Sequence, residues 1–305
     1  MSPTDHISVC ICTYRRNELL ERLLRNLALQ RTGGLFGYSA VVVDNDAGGH
    51  AREIVAKIQT EQVLDITYSI EPERTIPAAR NHALRLARGN YIGIIDDDEF
   101  PPHDWLLRMY EGIQTFNVDG ALGPVHPFFS GASPGWLVKS GICELPVYST
   151  GTLLHWSQTR TGNVLVKKDV FDRHGLAFDP RFRTGGSDQE FFKQAIARGC
   201  QFVAIEEAPV FEVVPPIRWT RKYWMKRALV NGFNASRYAS GGMSRTWQAV
   251  LTFKSAAGAA IYALMLPVCA CLGHHRLIIC LEKGCYHLSR ACASFGVELW
   301  KRRDF

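Results

Sequence analysis

Short apolar runs that stop in polar residues recur through the first third of the chain, separated by stretches of helical periodicity. Residues 7–13, ISVCICT, are apolar and β-branched enough to predict a strand buried on both faces. Arg15-Arg16-Asn17 breaks the run. Asn17 stands where it can cap a helix whose Leu19, Leu20, Leu23, Leu24 and Leu27 share one face. Gly33, Gly34 and Gly37 close that region, and residues 40–43 give a second strand ending in Asp44-Asn45-Asp46. Residues 52–62 predict a second helix, 66–70 a third strand, and 77–88 a third helix stopped by Gly89. A fourth run, 91–95, ends in four consecutive acids: Asp96, Asp97, Asp98 and Glu99. This alternation predicts a parallel sheet with right-handed crossovers, which gathers the polar carboxyl ends of all four strands on one edge. Ligands bind at that edge in open α/β sheets.

The pattern is less regular further on. Residues 105–116 predict a helix, 120–127 precede a loop rich in Pro and Gly, and 159–166 predict a further strand returning to the sheet. Asp169-Val170-Phe171 opens a short helix that ends near Gly175. The segment 182–192, FRTGGSDQEFF, holds two glycines that let backbone approach a ligand, Ser187 as a helix cap, and Asp188 in the first turn. Residues 255–275 contain no Lys, Arg, Asp or Glu and are long enough to span a bilayer, while Pro267 and many small residues suit an in-plane or re-entrant helix equally. Residues 277–300 form a second amphipathic piece, and Lys301-Arg302-Arg303 would stay at the lipid headgroups.

Composition sharpens this division. With 305 residues, 47% of them hydrophobic, the chain can bury a full core. We expect a domain over 1–216, with a nucleotide half to about 120 and an acceptor half from 121, followed by a basic, apolar helical region over 217–305. Residues 1–216 hold 21 Lys or Arg against 26 Asp or Glu; residues 217–305 hold 14 against 3. An acidic body with a basic, apolar tail suits docking on anionic lipid, and no nucleic-acid reader motif accompanies the tail. Its cluster from Arg218 to Arg227 interleaves bases with Trp219, Tyr223 and Trp224, which fits a membrane interface or a helix packing its aromatics on the larger domain. The nine cysteines form no CxxC pair and read as reduced thiols of a cytosolic protein. No charged segment followed by an apolar stretch opens the chain, so no signal peptide is expected.

Four adjacent carboxylates at a buried strand end repel one another unless a cation or hydrogen-bond donors compensate. A divalent metal, Mg2+ or Mn2+, would do so while sharing coordination with a substrate phosphate. No GxGxxG loop and no phosphate-binding GKS or GKT loop is present, so a nucleotide would be held otherwise. Asp44 could accept a hydrogen bond from a base or ribose, and Arg80 could pair with phosphate. Asp188, if desolvated, could serve as a general base.

The motifs YRR after ICT, VVVDND, IPAARN, IIDDDE and GGSDQEFF, in this order, resemble family 2 glycosyltransferases of the GT-A fold, most closely the bacterial subgroup with succinoglycan-type glucosyltransferases of exopolysaccharide assembly. The resemblance covers about residues 7–227. It implies an α/β fold with a mixed, mostly parallel, Rossmann-like sheet flanked by helices, and a C-terminal helical extension that associates with membrane. It further implies that Thr13, Tyr14 and Asp44 contact uridine, with Arg16 and Asp97 on the same nucleotide side and Arg80 on the base or diphosphate. Asp96 and Asp98 become the DxD motif, Asp98 as the direct metal ligand and Asp96 on ribose or a metal-bound water, and Asp188 the base. The chain departs from the family pattern with Ser187 where Glu is usual, and with Pro215 in place of the Gln of the processive QxxRW motif ahead of Arg218-Trp219. The implied activity is inverting, metal-dependent, single transfer from a UDP-sugar to a polyprenyl-diphosphate saccharide at the cytoplasmic side of the inner membrane. A nucleotidyltransferase would need a triphosphate-holding loop that the first strand does not supply. A non-catalytic membrane scaffold would have no use for Asp96, Asp98 and Asp188 together.

Overall fold

The computed structural model describes residues 5–182, 185–240 and 244–300. β1 (Asp5–Thr13) has Ile7, Val9 and Ile11 fully enclosed, as the apolar run requires. α1 (Asn17–Leu27) buries Leu20, Leu23, Leu24 and Leu27. Arg16 rather than Asn17 takes its N-cap position, because the Arg16 side chain is drawn to the acids, and Asn17 Nδ2 donates instead to the carbonyl of His50. β2 (Phe36–Asp44) begins earlier than expected and contains Gly37, since parallel pairing with β1 extends along all nine residues. α2 (Arg52–Thr60), β3 (Ile66–Ile70) and α3 (Ile76–Leu86) follow; Thr75 caps α3 by accepting the N–H of Ala78. β4 (Tyr91–Ile94) is buried throughout, and β5 (Glu99–Phe100) lies just beyond the acids.

The remainder adds α4 (Trp105–Phe116), β6 (Gly120–Leu122), β7 (Val125–Phe128), α5 (Gly135–Ser140), β8 (Val164–Lys167), α6 (Asp169–His174), α7 (Ser187–Ala197), β9 (Phe202–Ala204) and β10 (Val210–Val213). Only the end of the strand expected over 159–166 forms. Asn163 takes a left-handed φ of +60° and fixes the bend by donating to the carbonyls of Pro124 and Ala208 and accepting from Trp105 Nε1. The main sheet runs β3-β2-β1-β4-β8-β6-β9, with β8 alone antiparallel to its neighbours. A smaller sheet runs β5-β10-β7. Alternate residues of β1 feed two apolar cores: Ile7, Val9 and Ile11 meet α1 and α4, and Cys10 meets the side holding α3, α6 and α7.

These strands make up one compact unit, through Phe128 and then Leu145–Val213. A second unit joins Phe129–Glu144 to the chain from Val214 onward. It holds α5, α8 (Arg221–Ser240), α9 (Arg245–Leu272) and α10 (His274–Ala293). The apolar run read at 255–275 is the greater part of α9, a helix long and apolar enough to cross a membrane. Lys301-Arg302-Arg303 lies outside the described residues. All nine cysteines are free.

Candidate active site

Thr13, the last residue of β1, donates through Oγ1 to Asp97 Oδ2 at 2.8 Å and so ties one strand end to the next. The chain then turns at Arg15, whose φ of +54° is a left-handed conformation costing a non-glycine residue about 1–2 kcal/mol. That turn parts two successive arginines. Arg15 Nε donates to Asp46 Oδ2 at 2.8 Å, while Arg16 Nη1 donates to Asp97 Oδ1 at 2.8 Å and Asp98 Oδ2 at 2.9 Å. Part of the charge compensation expected from a metal is therefore supplied by Arg16.

The acids form a closed turn. The N–H of Glu99 donates to the Asp96 carbonyl at 3.1 Å, and the N–H of Asp96 donates to Glu99 Oε2 at 3.0 Å. Val213 of β10 donates its N–H to the Asp98 carbonyl at 2.8 Å. Asp97, Asp98 and Glu99 are buried, whereas the Asp96 side chain is 50% exposed and pairs, among the described residues, with Arg80 Nη2 at 3.5 Å. Burial first, then the charge of Asp96, pushes the Asp98 carboxyl up to about 7, and burial also raises Asp97 and Glu99. Arg16 opposes the rise at Asp97 and Asp98 without cancelling it.

The small sheet explains how the turn is held. Side chains alternate across it, so Phe100 and Phe211 pair on one face and Glu99 and Glu212 on the other. The aromatic face is fixed by Phe100 stacking on Phe211 and by the Arg22 guanidinium 3.5 Å above the Phe100 ring. The acidic face meets residues 160–162: Arg160, largely enclosed, feels the charges of Glu99 and Glu212, and Gly162 backs directly on the acids.

Arg80 projects from α3 toward Asp96 and lies 5.4 Å from the centre of the Phe178 ring. Its neighbour Asn81 holds Phe178 by two backbone hydrogen bonds, at 2.7 and 2.8 Å, and this roots the loop that leads to α7. Gly186, with φ of +94°, is the N-cap of α7, replacing the Ser187 expected there; a left-handed cap suits glycine and moves Ser187 into the first turn. Asp188 lies one turn before Phe191 and Phe192, both packed in the core, so it sits on the inward side of the helix and is half-buried. Among the described residues it has no hydrogen bond or ion pair, and none connects it with the four acids.

Asp44 is the last residue of β2. It is fully enclosed, with Oδ1 accepting the N–H of Asp46 and Oδ2 accepting the N–H of Ala51 and the Tyr68 hydroxyl. What the structure shows it holding is the loop 45–51. Tyr14 is half-buried beneath the Arg74 guanidinium, 4.3 Å from its ring centre. The structure thus joins Thr13, Arg16, Arg80, Asp96, Asp97 and Asp98 in one network, with Asp44 and Tyr14 beside it and Asp188 separate. Arg74, Arg160 and Gly162 were not singled out from the sequence, while Glu99 was named as the fourth acid of the run with no role of its own.

Among the described residues no group of three or more His, Cys, Asp or Glu is placed to hold a metal by itself. Two carboxylates, one of them open to solvent, in a cluster that Arg16 does not fully compensate suit an ion that completes its coordination with phosphate and water. Asp96 and Asp98 are the carboxylates of this cluster that could hold Mg2+ or Mn2+.

A mostly parallel sheet, a second small sheet and an acidic turn at the carboxyl edge define a GT-A architecture. The description "Glycosyl transferase family 2" matches residues 8–177, and the chain belongs to that family. It is similar to the succinoglycan biosynthesis protein ExoM of Rhizobium meliloti, 33% identical over 257 residues that cover 81% of each chain. The chondroitin synthase of Escherichia coli is 27% identical over 250 residues, 70% of this chain and 35% of that larger protein. Among solved structures, S. aureus TarS 1-349 in complex with UDP superposes with a TM-score of 0.55 at 16% identity, covering 96% of this chain and 92% of that one. That likeness concerns the fold alone.

Proposed function

We propose that this protein is an inverting, non-processive glycosyltransferase that moves a hexose, glucose in our reading, from a UDP-sugar to a polyprenyl-diphosphate-linked saccharide. The observation that carries the donor half is the Asp96–Asp98 pair at the β4 edge, undercompensated and adjoining the Arg80 guanidinium. Similarity over 81% of both chains to a protein named for succinoglycan biosynthesis supports exopolysaccharide assembly as the setting. The TarS complexes with UDP and with UDP-GlcNAc, on the same fold, support a UDP-sugar donor.

In this reading Thr13 and Tyr14 border the uridine, and Asp44 shapes that site by fixing loop 45–51. Asp96 and Asp98 would hold Mn2+ or Mg2+, which when bound would supply Lewis-acid neutralisation of the diphosphate. Arg80 donates to diphosphate oxygens as their charge grows with cleavage of the bond to the anomeric carbon. Asp188 accepts the proton of the acceptor hydroxyl while that oxygen bonds to the anomeric carbon from the opposite side. A single displacement of this kind turns an α-linked donor into a β-linked product. Pro215 in place of the processive Gln supports one transfer per encounter. The basic, apolar region from 217 onward holds the enzyme at the cytoplasmic face of the inner membrane, where a lipid-linked acceptor resides.

Calorimetric titration of UDP, GDP and ATP with and without Mn2+ tests the reading. Cation-dependent preference for UDP, abolished by Asp98→Ala, is the expected result. Equal binding of all three nucleotides, or none, would remove it.

A further inference from the structure

We infer that α9 lies in the plane of an anionic lipid surface, immersed along one exposed stripe, and does not cross the bilayer. The inference rests on the membrane-bound reading above and adds orientation to it. α9 shows two unlike sides. Its outer stripe, Val250, Phe253, Ile261, Leu264, Val268 and Leu272, recurs at helical spacing; Phe253 is 75% exposed and Leu264 80%. From Val250 to Leu272 this stripe is roughly 33 Å long, at 1.5 Å per residue.

The inner side packs against α10. Thr252 Oγ1 meets Ser294 Oγ at 2.7 Å near one end, the rings of Tyr262 and His287 stack at 5.7 Å, and the Cys280 thiol donates to the Tyr262 carbonyl at 3.2 Å. α10 in turn packs on α8, where Ser289 Oγ donates to the Leu229 carbonyl at 2.5 Å. It is the middle helix of the three. It also carries Arg276, Glu282, Lys283 and Arg290. For α9 to span a bilayer it would have to shed this partner or carry those charges into hydrocarbon, and both are costly. Lying flat keeps α10 above the headgroups and sinks this stripe, the large apolar part of a broader exposed side that also holds Ala256, Ala260, Ala263 and Ala270.

Charge selects the occupant. From residue 213 to residue 281 the sequence holds nine Lys or Arg and no Asp or Glu. A second copy of this chain laid against the stripe would bring like charge to like. Anionic headgroups beside an apolar interior match both features of the surface.

The test uses the full chain with vesicles of phosphatidylglycerol and phosphatidylethanolamine, and with phosphatidylcholine alone. Trp is placed by Phe253→Trp, Leu264→Trp or Leu272→Trp, and the added fluorescence is quenched by lipids brominated near the headgroup or deep in the acyl chain. Equal, shallow quenching at all three positions is expected, together with preference for anionic vesicles. Leu264→Glu should weaken vesicle binding at least tenfold and leave UDP affinity unchanged. Quenching depth that progresses from Phe253 to Leu272 would overturn the orientation while the membrane reading stands. No sedimentation with anionic vesicles, or a salt-insensitive dimer in their place, would overturn both and leave the UDP-site reading intact.

Discussion

Gly162 lies so close to Glu99 that a Cβ on Gly162 would fall 2.7 Å from Glu99 Oε1 and 3.3 Å from Asp96 Oδ2. The glycine is there for space, not for an unusual backbone angle. Overpacking a buried site of this kind costs about 1–3 kcal/mol. Gly162→Ala should displace the Glu99 carboxylate and weaken Mn2+-dependent UDP binding about tenfold, or 1.4 kcal/mol. Calorimetry on Gly162→Ala, Glu99→Ala and the double variant checks this; the glycine change should add little once Glu99 is gone. Full additivity would show that the two do not act through each other.

Glu99 closes the acidic turn by accepting the Asp96 N–H through a carboxylate oxygen, a role that an amide oxygen can also fill. Glu99→Gln should keep UDP affinity within about threefold, whereas Glu99→Ala leaves a donor unpaired at a cost of about 1–3 kcal/mol. Equal losses in the two variants would mean that the charge, not the hydrogen bond, is what the turn requires.

Asp98 makes the metal-free protein sensitive to pH. Burial and the Asp96 charge raise its carboxyl to about 7 in the folded state, above its unfolded value. A raised acid contributes stability that is complete below the unfolded value near 4 and is lost as pH rises through about 7. Three units correspond to at most about 4 kcal/mol. In EDTA, thermal unfolding should therefore shift to lower temperature between pH 4 and 7, and Asp98→Asn should flatten that slope. An unchanged slope in the variant would assign the pH dependence to other groups.

The strands and helices around these residues were legible because periodicity records burial. The leucines of α1 and the apolar run of β4 sit where their spacing puts them. Long-range pairing is not recorded in that way. Nothing in the segment 159–166 foretold that a left-handed Asn163 would leave only its end in the sheet, or that Gly162 would be pressed against the acids. The acidic run announced a site, but its partition did not follow from spacing: Arg16 engages Asp97 and Asp98 and leaves Asp96 open to Arg80 and solvent. Asp44 carried the pattern of a ligand contact, yet its oxygens are taken by loop 45–51 and Tyr68, partners a linear reading does not supply.

Arg80 and Asp188 divide the proposed chemistry, and their variants should fail in different measurements. Arg80 stands at the acids with little exposure, so Arg80→Ala removes donors aimed at the diphosphate. Losing charge-assisted hydrogen bonds worth about 1.5–3 kcal/mol should lower UDP affinity roughly 10- to 150-fold. Among the described residues no hydrogen bond or ion pair joins Asp188 to that network, and its carboxylate is expected to act on the acceptor hydroxyl. Asp188→Asn preserves shape while removing the base, so UDP affinity should stay within about twofold while turnover falls about 100- to 10,000-fold. Titration of UDP beside initial rates on a lipid-linked acceptor separates the two. Turnover that survives Asp188→Asn would withdraw the base assignment. A parallel loss of UDP binding would place Asp188 with the nucleotide instead.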